Sequence, residues 1–204
     1  MSKIISKEIK DFINQYLNDD FFERNIPSER SAYNILDFVI SVDSIDDEIY
    51  GRLPEDRKRE IDCENKKAQD ENDIDKLYNM LRKELNANTA NIIIDKLIKN
   101  KEKVMPRMFE DLKRSGNDSF VEKAAKLFVK CDKNYSHEIA QILPDIRYPY
   151  TQSVMCFILG KIGSEEDIKI IYKYFLYFKD NYKTENYYEG PLLGIYEMKD
   201  RYKF

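Results

Sequence analysis

His137 is the only histidine in the chain, and imidazole is the side chain whose ordinary pKa best suits proton transfer near neutral pH. Catalysis by an imidazole also needs an orienting group and a nucleophile or a metal ion nearby. The surrounding residues, Tyr135-Ser136-His137-Glu138, instead have the pattern of a helix start with Ser136 as the N-cap. We therefore interpret His137 as a surface residue in a first helical turn and predict no catalytic role for it.

Metal and cofactor motifs are absent from the sequence. Residues 132–136 are spaced like the opening of a calcium loop, but the glycine at position six is missing and Leu143 replaces the bidentate glutamate. Cys63, Cys131 and Cys156 are widely spaced, which gives neither a disulfide framework nor a zinc site and is typical of a reducing compartment. Phosphate-binding loops, nucleophile elbows and dinucleotide fingerprints do not occur either. We expect no cofactor, no metal and no enzymatic activity.

Carboxylates are concentrated in two short clusters, Asp43, Asp46, Asp47 and Glu48, and Asp70, Glu71, Asp73 and Asp75. Paired carboxylates can bind magnesium or act as acid and base, but acidic runs more often form a solvated surface. If these clusters have a specific role, docking of a basic partner is favoured over catalysis.

The charge is divided unevenly between the two parts of the chain. Residues 1–86 carry 14 Lys and Arg against 21 Asp and Glu, and residues 87–204 carry 20 against 17. Net charges of −7 and +3 leave neither part with the strong basic footprint that nucleic acid requires, so we do not expect nucleic acid as the partner. No segment approaches the roughly 18 continuous apolar residues of a membrane span, and the amphipathic N-terminus is not a secretory signal. We expect no membrane association, a cytoplasmic location and, from the abundance of Lys, Asn and Ile, a bacterial source.

The elements that would position any site are predicted to be helical throughout. Apolar residues make up 42% of the chain, and only six glycines and six prolines are present, which favours an all-α globular fold. We divide the chain into an acidic, irregular helical N-terminal region, 1–86, and a region of helical repeats, 87–204. Within the first region, the charged stretch 54–73 is either a solvated helix or a linker.

A fixed period in the second region predicts stacked helix pairs. Leu97, Phe128 and Leu159 occupy corresponding positions in three apolar helices and are 31 residues apart, twice in succession. A helix pair of this length cannot bury its apolar face alone, so neighbouring pairs have to stack.

Residues 154–175 form the clearest unit, an apolar helix, a glycine turn and a second apolar helix. We expect Gly160 and Gly163 to end the first helix, because glycine adopts positive φ without steric cost. Ser164 is a natural N-cap for the second helix, with Asp167 three residues later.

This hairpin resembles a unit of the HEAT-repeat family, whose first helix ends in a Leu-Gly-x-Ile-Gly pattern. Here the pattern runs from Leu159 to Gly163. The resemblance implies a short α-α superhelix of the armadillo type that serves as a protein-interaction scaffold. Some HEAT-like proteins remove alkylated bases from DNA, but this chain has no Trp and lacks a basic channel in its charge pattern.

The C-terminal region is rich in tyrosine, and ten of the fifteen tyrosines lie between residues 148 and 204. On the helix after Ser164, a core stripe of Ile168, Ile171, Tyr172 and Phe175 is accompanied by a second stripe of Ile170, Tyr174 and Tyr177. A neighbouring repeat could cover the second stripe, or a partner could bind it, since tyrosine is enriched at interface hot spots. The candidate partner-binding residues are Tyr174, Tyr177, Tyr182, Tyr187 and Tyr188.

We predict a non-enzymatic scaffold that binds another protein. One alternative is an immunity or antitoxin-like protein whose acidic N-terminal half neutralises a basic toxin by charge complementarity. A second, DNA alkylation repair, is less favoured by the composition. Formation of a homodimer through the C-terminal helices is a further alternative.

Overall fold

A computed structural model describes residues 5–17, 36 and 40–203. In that part of the chain the structure is all-helical, with eleven α-helices, two short 3-10 turns and no β-strand. Much of the predicted N-terminal region, residues 1–4, 18–35 and 37–39, lies outside the described residues, as does residue 204. The helices are α1 Lys7–Tyr16, α2 Asp47–Arg52, α3 Glu55–Asp70, α4 Ile74–Met80, α5 Ala87–Ile98, α6 Lys101–Arg114, α7 Asp118–Lys130, α8 Ser136–Ile142, α9 Pro149–Ile162, α10 Ile168–Asn181 and α11 Glu189–Tyr202.

Short polar side chains define where several helices begin. Asn86 accepts a hydrogen bond from the Thr89 backbone N–H at 2.9 Å and caps α5, and Asn117 caps α7 in the same way through Phe120. Ser164 and Asp167 form the predicted capping box, in which the Ser164 N–H donates to Asp167 Oδ2 at 2.7 Å. The box precedes a single 3-10 turn that leads into α10.

From α3 to α11, each odd-numbered helix packs against the next odd-numbered helix. Helix α3 contacts α5, α5 contacts α7, α7 contacts α9, and α9 contacts α11. The intervening helices α4, α6, α8 and α10 pack on these, and α8 also contacts α6. The three residues of the 31-residue period, Leu97, Phe128 and Leu159, lie buried in α5, α7 and α9, which pack in succession.

The prediction that two glycines end the first helix of the hairpin was wrong for Gly160. Gly163 is the C-cap of α9, but it lacks the positive φ expected of it. Helix α9 continues through Gly160 to Ile162, and no glycine in the described residues has positive φ; Gly163 has φ −72° and ψ 169°. Gly160 instead allows α9 and α11 to touch, because a Cβ atom there would overlap the Cα atom of Gly194. Conversely, a Cβ atom at Gly194 would lie 2.7 Å from the Cys156 carbonyl oxygen. Small residues at the crossing therefore set the distance between the two helix backbones.

The carbonyl groups at the end of α9 find partners on α11 rather than in a left-handed glycine cap. Arg201 Nη2 donates to the carbonyl oxygens of Gly160 at 2.8 Å and Gly163 at 2.7 Å, and Tyr202 Oη donates to Gly163 O at 2.9 Å. A helix end whose carbonyls are already satisfied by side chains does not need a residue with positive φ.

The described N-terminal residues pack onto the later helices. The ring of Phe12 lies 5.1 Å from that of Tyr172 and 4.9 Å from that of Phe175, which places α1 against α10. The charged stretch from Pro54 onward contains α3, with Ile61 and Ala68 buried. Buried side chains from Ile5 to Met198 belong to one continuous hydrophobic cluster.

A polar network joins α4 to α6 beside this core. Asp111 Oδ2 accepts a hydrogen bond from Tyr78 Oη at 2.9 Å and an ion-paired one from Arg82 Nη2 at 2.7 Å. The Arg107 guanidinium lies 4.1 Å above the Tyr78 ring. Tyr78 itself is fully buried, so its hydroxyl requires such a partner.

Candidate interaction surface

Helix α10 has one face in the core and one at the surface. Ile168, Ile171 and Phe178 have no measurable exposure, and Phe175 is buried as well. On the other side, the side chains of Leu176 and Tyr177 are 39% and 41% exposed. The second stripe of Ile170, Tyr174 and Tyr177 is half-buried at its first two positions and open at the third.

Four of the five predicted tyrosines meet around the buried ring of Phe178. Its ring centroid lies 6.1 Å from Tyr174, 5.4 Å from Tyr177, 5.8 Å from Tyr182 and 6.0 Å from Tyr187. Tyr182 also contacts Tyr177 at 6.0 Å and Tyr187 at 5.4 Å, both edge to face. The end of α10 and the connection to α11 therefore share one cluster of mutually packed aromatic rings.

Tyr188 lies apart from this cluster. Its ring packs edge to face on Phe175 at 6.4 Å, and Lys179 Nζ is 3.6 Å from its centroid. Burial, and then the charge of Glu189, raise the pKa of the Tyr188 hydroxyl. The contacts of Tyr188 thus point to the junction between α10 and α11 rather than to the exposed cluster.

A pocket of about 250 Å³ opens beside Tyr174 and Tyr177, between α10 and the start of α9. Pro144, Gln152 and Lys173 form the rest of its lining. Leu176 and Lys173 flank the tyrosines and were not among the predicted residues. Lys173 lies four residues before Tyr177, and this helical spacing was the available signal for it, whereas Leu176 lies on neither predicted stripe.

The fold raises the pKa of two tyrosine hydroxyls in the cluster. Burial, followed by the charge of nearby ionisable groups, raises the pKa of Tyr174 to about 12. The pKa of Tyr182 is raised first by its hydrogen bond with Tyr177 and then by burial. At neutral pH the hydroxyl groups of Tyr174 and Tyr182 are therefore uncharged.

The other residues with candidate chemistry have structural roles. His137 is exposed in the first turn of α8, as predicted, but the N-cap is Tyr135 and not Ser136, because the helix begins one residue earlier. Asp46 and Asp73 accept backbone hydrogen bonds that cap α2 and α4. Asp43 and Asp75 pair with Lys130 at 3.2 Å and Arg107 at 3.1 Å. Glu48 pairs with Arg52, and Glu71 accepts hydrogen bonds from the backbone N–H groups of Asn72 and Asp73, so six of the eight clustered carboxylates are engaged within the molecule.

No metal-binding group of three or more His, Cys, Asp or Glu side chains occurs in the described residues. Across the same part of the chain, none of the helices combines the length and the apolar character that crossing a bilayer requires.

Comparison with known proteins gives no relative from which a function could be transferred: the chain matches no protein family, no curated protein and no solved structure.

Proposed function

We propose that this protein is a non-enzymatic, HEAT-like helical-repeat module that binds another protein through the end of α10 and the connection to α11. The observation that carries the proposal is the aromatic cluster around Phe178. It combines packed, partly exposed tyrosine rings with an adjacent pocket, which is the combination found at binding hot spots.

The contacts between alternate helices support the HEAT-like part of this proposal. In a two-helix solenoid, the first helix of each pair packs on the first helix of the next. The sequence of contacts from α3 through α5, α7 and α9 to α11 follows this rule. The buried residues of the 31-residue period lie on the same series of helices.

The charge of the surface suggests the chemistry of the partner. Between residues 168 and 188 the chain has four lysines and two acidic residues, although its overall net charge is −4. Lys173 lines the pocket and is exposed. We infer that the partner presents an acidic segment with an aliphatic side chain, which enters the pocket between Pro144 and Tyr177. The acidic flank would speed association and set orientation, and the apolar anchor would supply most of the affinity.

Selection of peptides from a random library against the full-length protein tests this inference. A second selection uses a variant with Leu176→Ser and Tyr177→Ser, which removes the exposed apolar side chains and leaves Phe178 in place. Peptides that bind the first protein and not the variant should share an aliphatic anchor next to Asp or Glu. Their affinity should fall as salt is raised, because the charged contacts are exposed.

Ile49→Ser provides a matched control. Ile49 is 59% exposed on α2 and is remote in sequence from the proposed surface, so its replacement removes a similar apolar area elsewhere. Peptides that bind all three proteins equally would contradict the proposal. Selected peptides rich in Lys and Arg that depend on α2 would instead favour the immunity-like alternative, in which the acidic N-terminal half receives a basic partner.

A further inference from the structure

A second pocket, of about 230 Å³, lies between α5 and α7. Its walls come from the start of α5, one face of α7, the residues just before α5, and Val42. Its volume is below the roughly 300–1,000 Å³ of pockets that hold drug-sized ligands, so its occupant would be small.

Two lysines of α7 line this pocket, and they differ in their partners. Lys126 is 3% exposed; its Nζ atom donates to the Val42 carbonyl oxygen and lies 3.4 Å from Asp43 Oδ1. This lysine holds residues 42 and 43 against α7. Its charge is therefore already used within the fold.

Lys123 is 8% exposed and has no such partner. Its Nζ atom donates one hydrogen bond, to the carbonyl oxygen of Ser119 on its own helix at 3.3 Å, and it forms no ion pair within the described part of the chain. Burial lowers the pKa of the Lys123 ammonium, while the charges of Glu84 and Glu122 act in the opposite direction. A buried ammonium group with unused donors is costly unless a ligand completes its hydrogen bonds.

Two carboxylates line the same pocket and are held in place by hydroxyl groups. Ser119 Oγ donates to Glu84 Oε1 at 2.7 Å, and Tyr150 Oη donates to Glu122 Oε1 at 3.2 Å. Burial raises the pKa of Glu122, although the hydrogen bond from Tyr150 opposes this effect. The remaining wall is apolar and includes Leu85, Ala87 and Ala90.

We propose that this pocket binds a small zwitterion, an α-amino acid with an aliphatic side chain. Lys123 would receive the carboxylate of the ligand, Glu122 and Glu84 its ammonium group, and the apolar wall its side chain. A simple anion satisfies Lys123 but meets two carboxylates, and a simple amine satisfies the carboxylates but leaves Lys123 unpaired. The zwitterion satisfies both sets of groups, so it fits the lining best. This site is independent of the interaction surface on α10.

Calorimetric titration of the full-length protein with three probes tests the proposal. The probes are leucine, 4-methylpentanoate, which lacks the amine, and 3-methylbutylamine, which lacks the carboxylate. Leucine should bind at millimolar or lower concentration, and each of the other two should bind about tenfold more weakly or less well still. Equal binding of leucine and 4-methylpentanoate, or no binding of leucine at millimolar concentration, would overturn the assignment.

Two variants assign the binding to these side chains. Lys123→Met keeps the length of the side chain and removes its charge, so it should weaken leucine binding about tenfold or more without lowering the melting temperature. Glu122→Gln should weaken the binding of leucine but not of 4-methylpentanoate. Lys99→Met, at an exposed lysine of the α5–α6 junction, serves as the control and should bind leucine normally. Unchanged leucine affinity in both the Lys123 and the Glu122 variant would contradict the proposal.

Discussion

The two ends of the described helical array are held together by different interactions. At the C-terminal end, α9 and α11 meet through Gly160 and Gly194, and their backbones approach until no side chain fits between them. Toward the N-terminal end, α4 and α6 are joined by a hydrogen-bonded ion pair around Asp111. A contact between backbones tolerates no added volume, whereas a polar network loses one interaction at a time. The two ends should therefore respond differently to mutation.

Adding one methyl group at the glycine crossing should have the largest effect. Gly160→Ala places a Cβ atom against Gly194, where only backbone is available to move, and should lower the free energy of unfolding by about 3 kcal/mol. Chemical denaturation followed by circular dichroism measures the change.

Gly51→Ala is the matched control, because a Cβ atom there meets nothing within 4 Å and the residue lies in helix α2. It should leave stability unchanged or raise it by about 0.5 kcal/mol through the helix preference of alanine. Equal effects of the two substitutions would refute the close approach of α9 and α11.

Substitutions in the polar network should lower the free energy of unfolding by smaller amounts, each of which can be assigned to a particular interaction. Tyr78→Phe removes one hydrogen bond to Asp111 and should cost about 1 kcal/mol, and Asp111→Ala, which removes this hydrogen bond together with the pair with Arg82, about 2 kcal/mol. Because Asp111 is one-third exposed, the larger figure is an upper value.

The double variant sharpens this comparison. Since both substitutions remove the same hydrogen bond, the double variant should be about 1 kcal/mol more stable than the sum of the single effects predicts. Strict additivity would show that Tyr78 and Asp111 do not interact in solution.

The smallest expected effect is a loss of folding stability at alkaline pH, which arises from Tyr174 at the C-terminal end. The pKa of Tyr174 is raised to about 12 in the folded protein, against an ordinary value of 10.0, so the folded state holds its proton more tightly than the unfolded state. Its contribution to stability is complete below about pH 10 and is lost as the pH rises to about 12.

The Tyr174→Phe variant has no hydroxyl to titrate at this position, so a comparison with the parent measures the pH-dependent contribution of Tyr174. Between pH 10 and 12 the variant should lose about 1 kcal/mol less stability than the parent, a figure that allows for the half-exposed ring. The difference between the two proteins at pH 8 provides the baseline. Parallel pH profiles would show that the Tyr174 hydroxyl is not desolvated by the fold.

Several features could be predicted from the sequence because they depend on local periodicity. The all-helical fold and the capping box at Ser164 follow from residue types at fixed helical spacing. The 31-residue period placed Leu97, Phe128 and Leu159 on helices that do pack in succession. Local spacing also brought four of the five tyrosines to one place, since three of them lie within four residues of Phe178 at one helix end.

Other features depend on contacts between helices and could not be predicted in this way. The local sequence does not distinguish a glycine at a turn from a glycine at a helix crossing. Gly194, which contacts Gly160, is 34 residues further along the chain. The spacing of Gly190 and Gly194 was the available signal of a close crossing. Lys123 was not predicted either, because charged residues are expected at the surface and its burial arises from the packing of α7 against α5.

Affinity capture from lysate of the source cells tests the central claim most directly. The baits are the full-length protein, the variant with Leu176→Ser and Tyr177→Ser, and the Ile49→Ser control. Point variants are preferable to truncation after Asp180, which would delete α11 and expose the core face of α9. The account predicts a partner that the parent and the control enrich and the double variant does not, while circular dichroism shows that all three baits are folded. Enrichment of the same proteins by all three baits would contradict it.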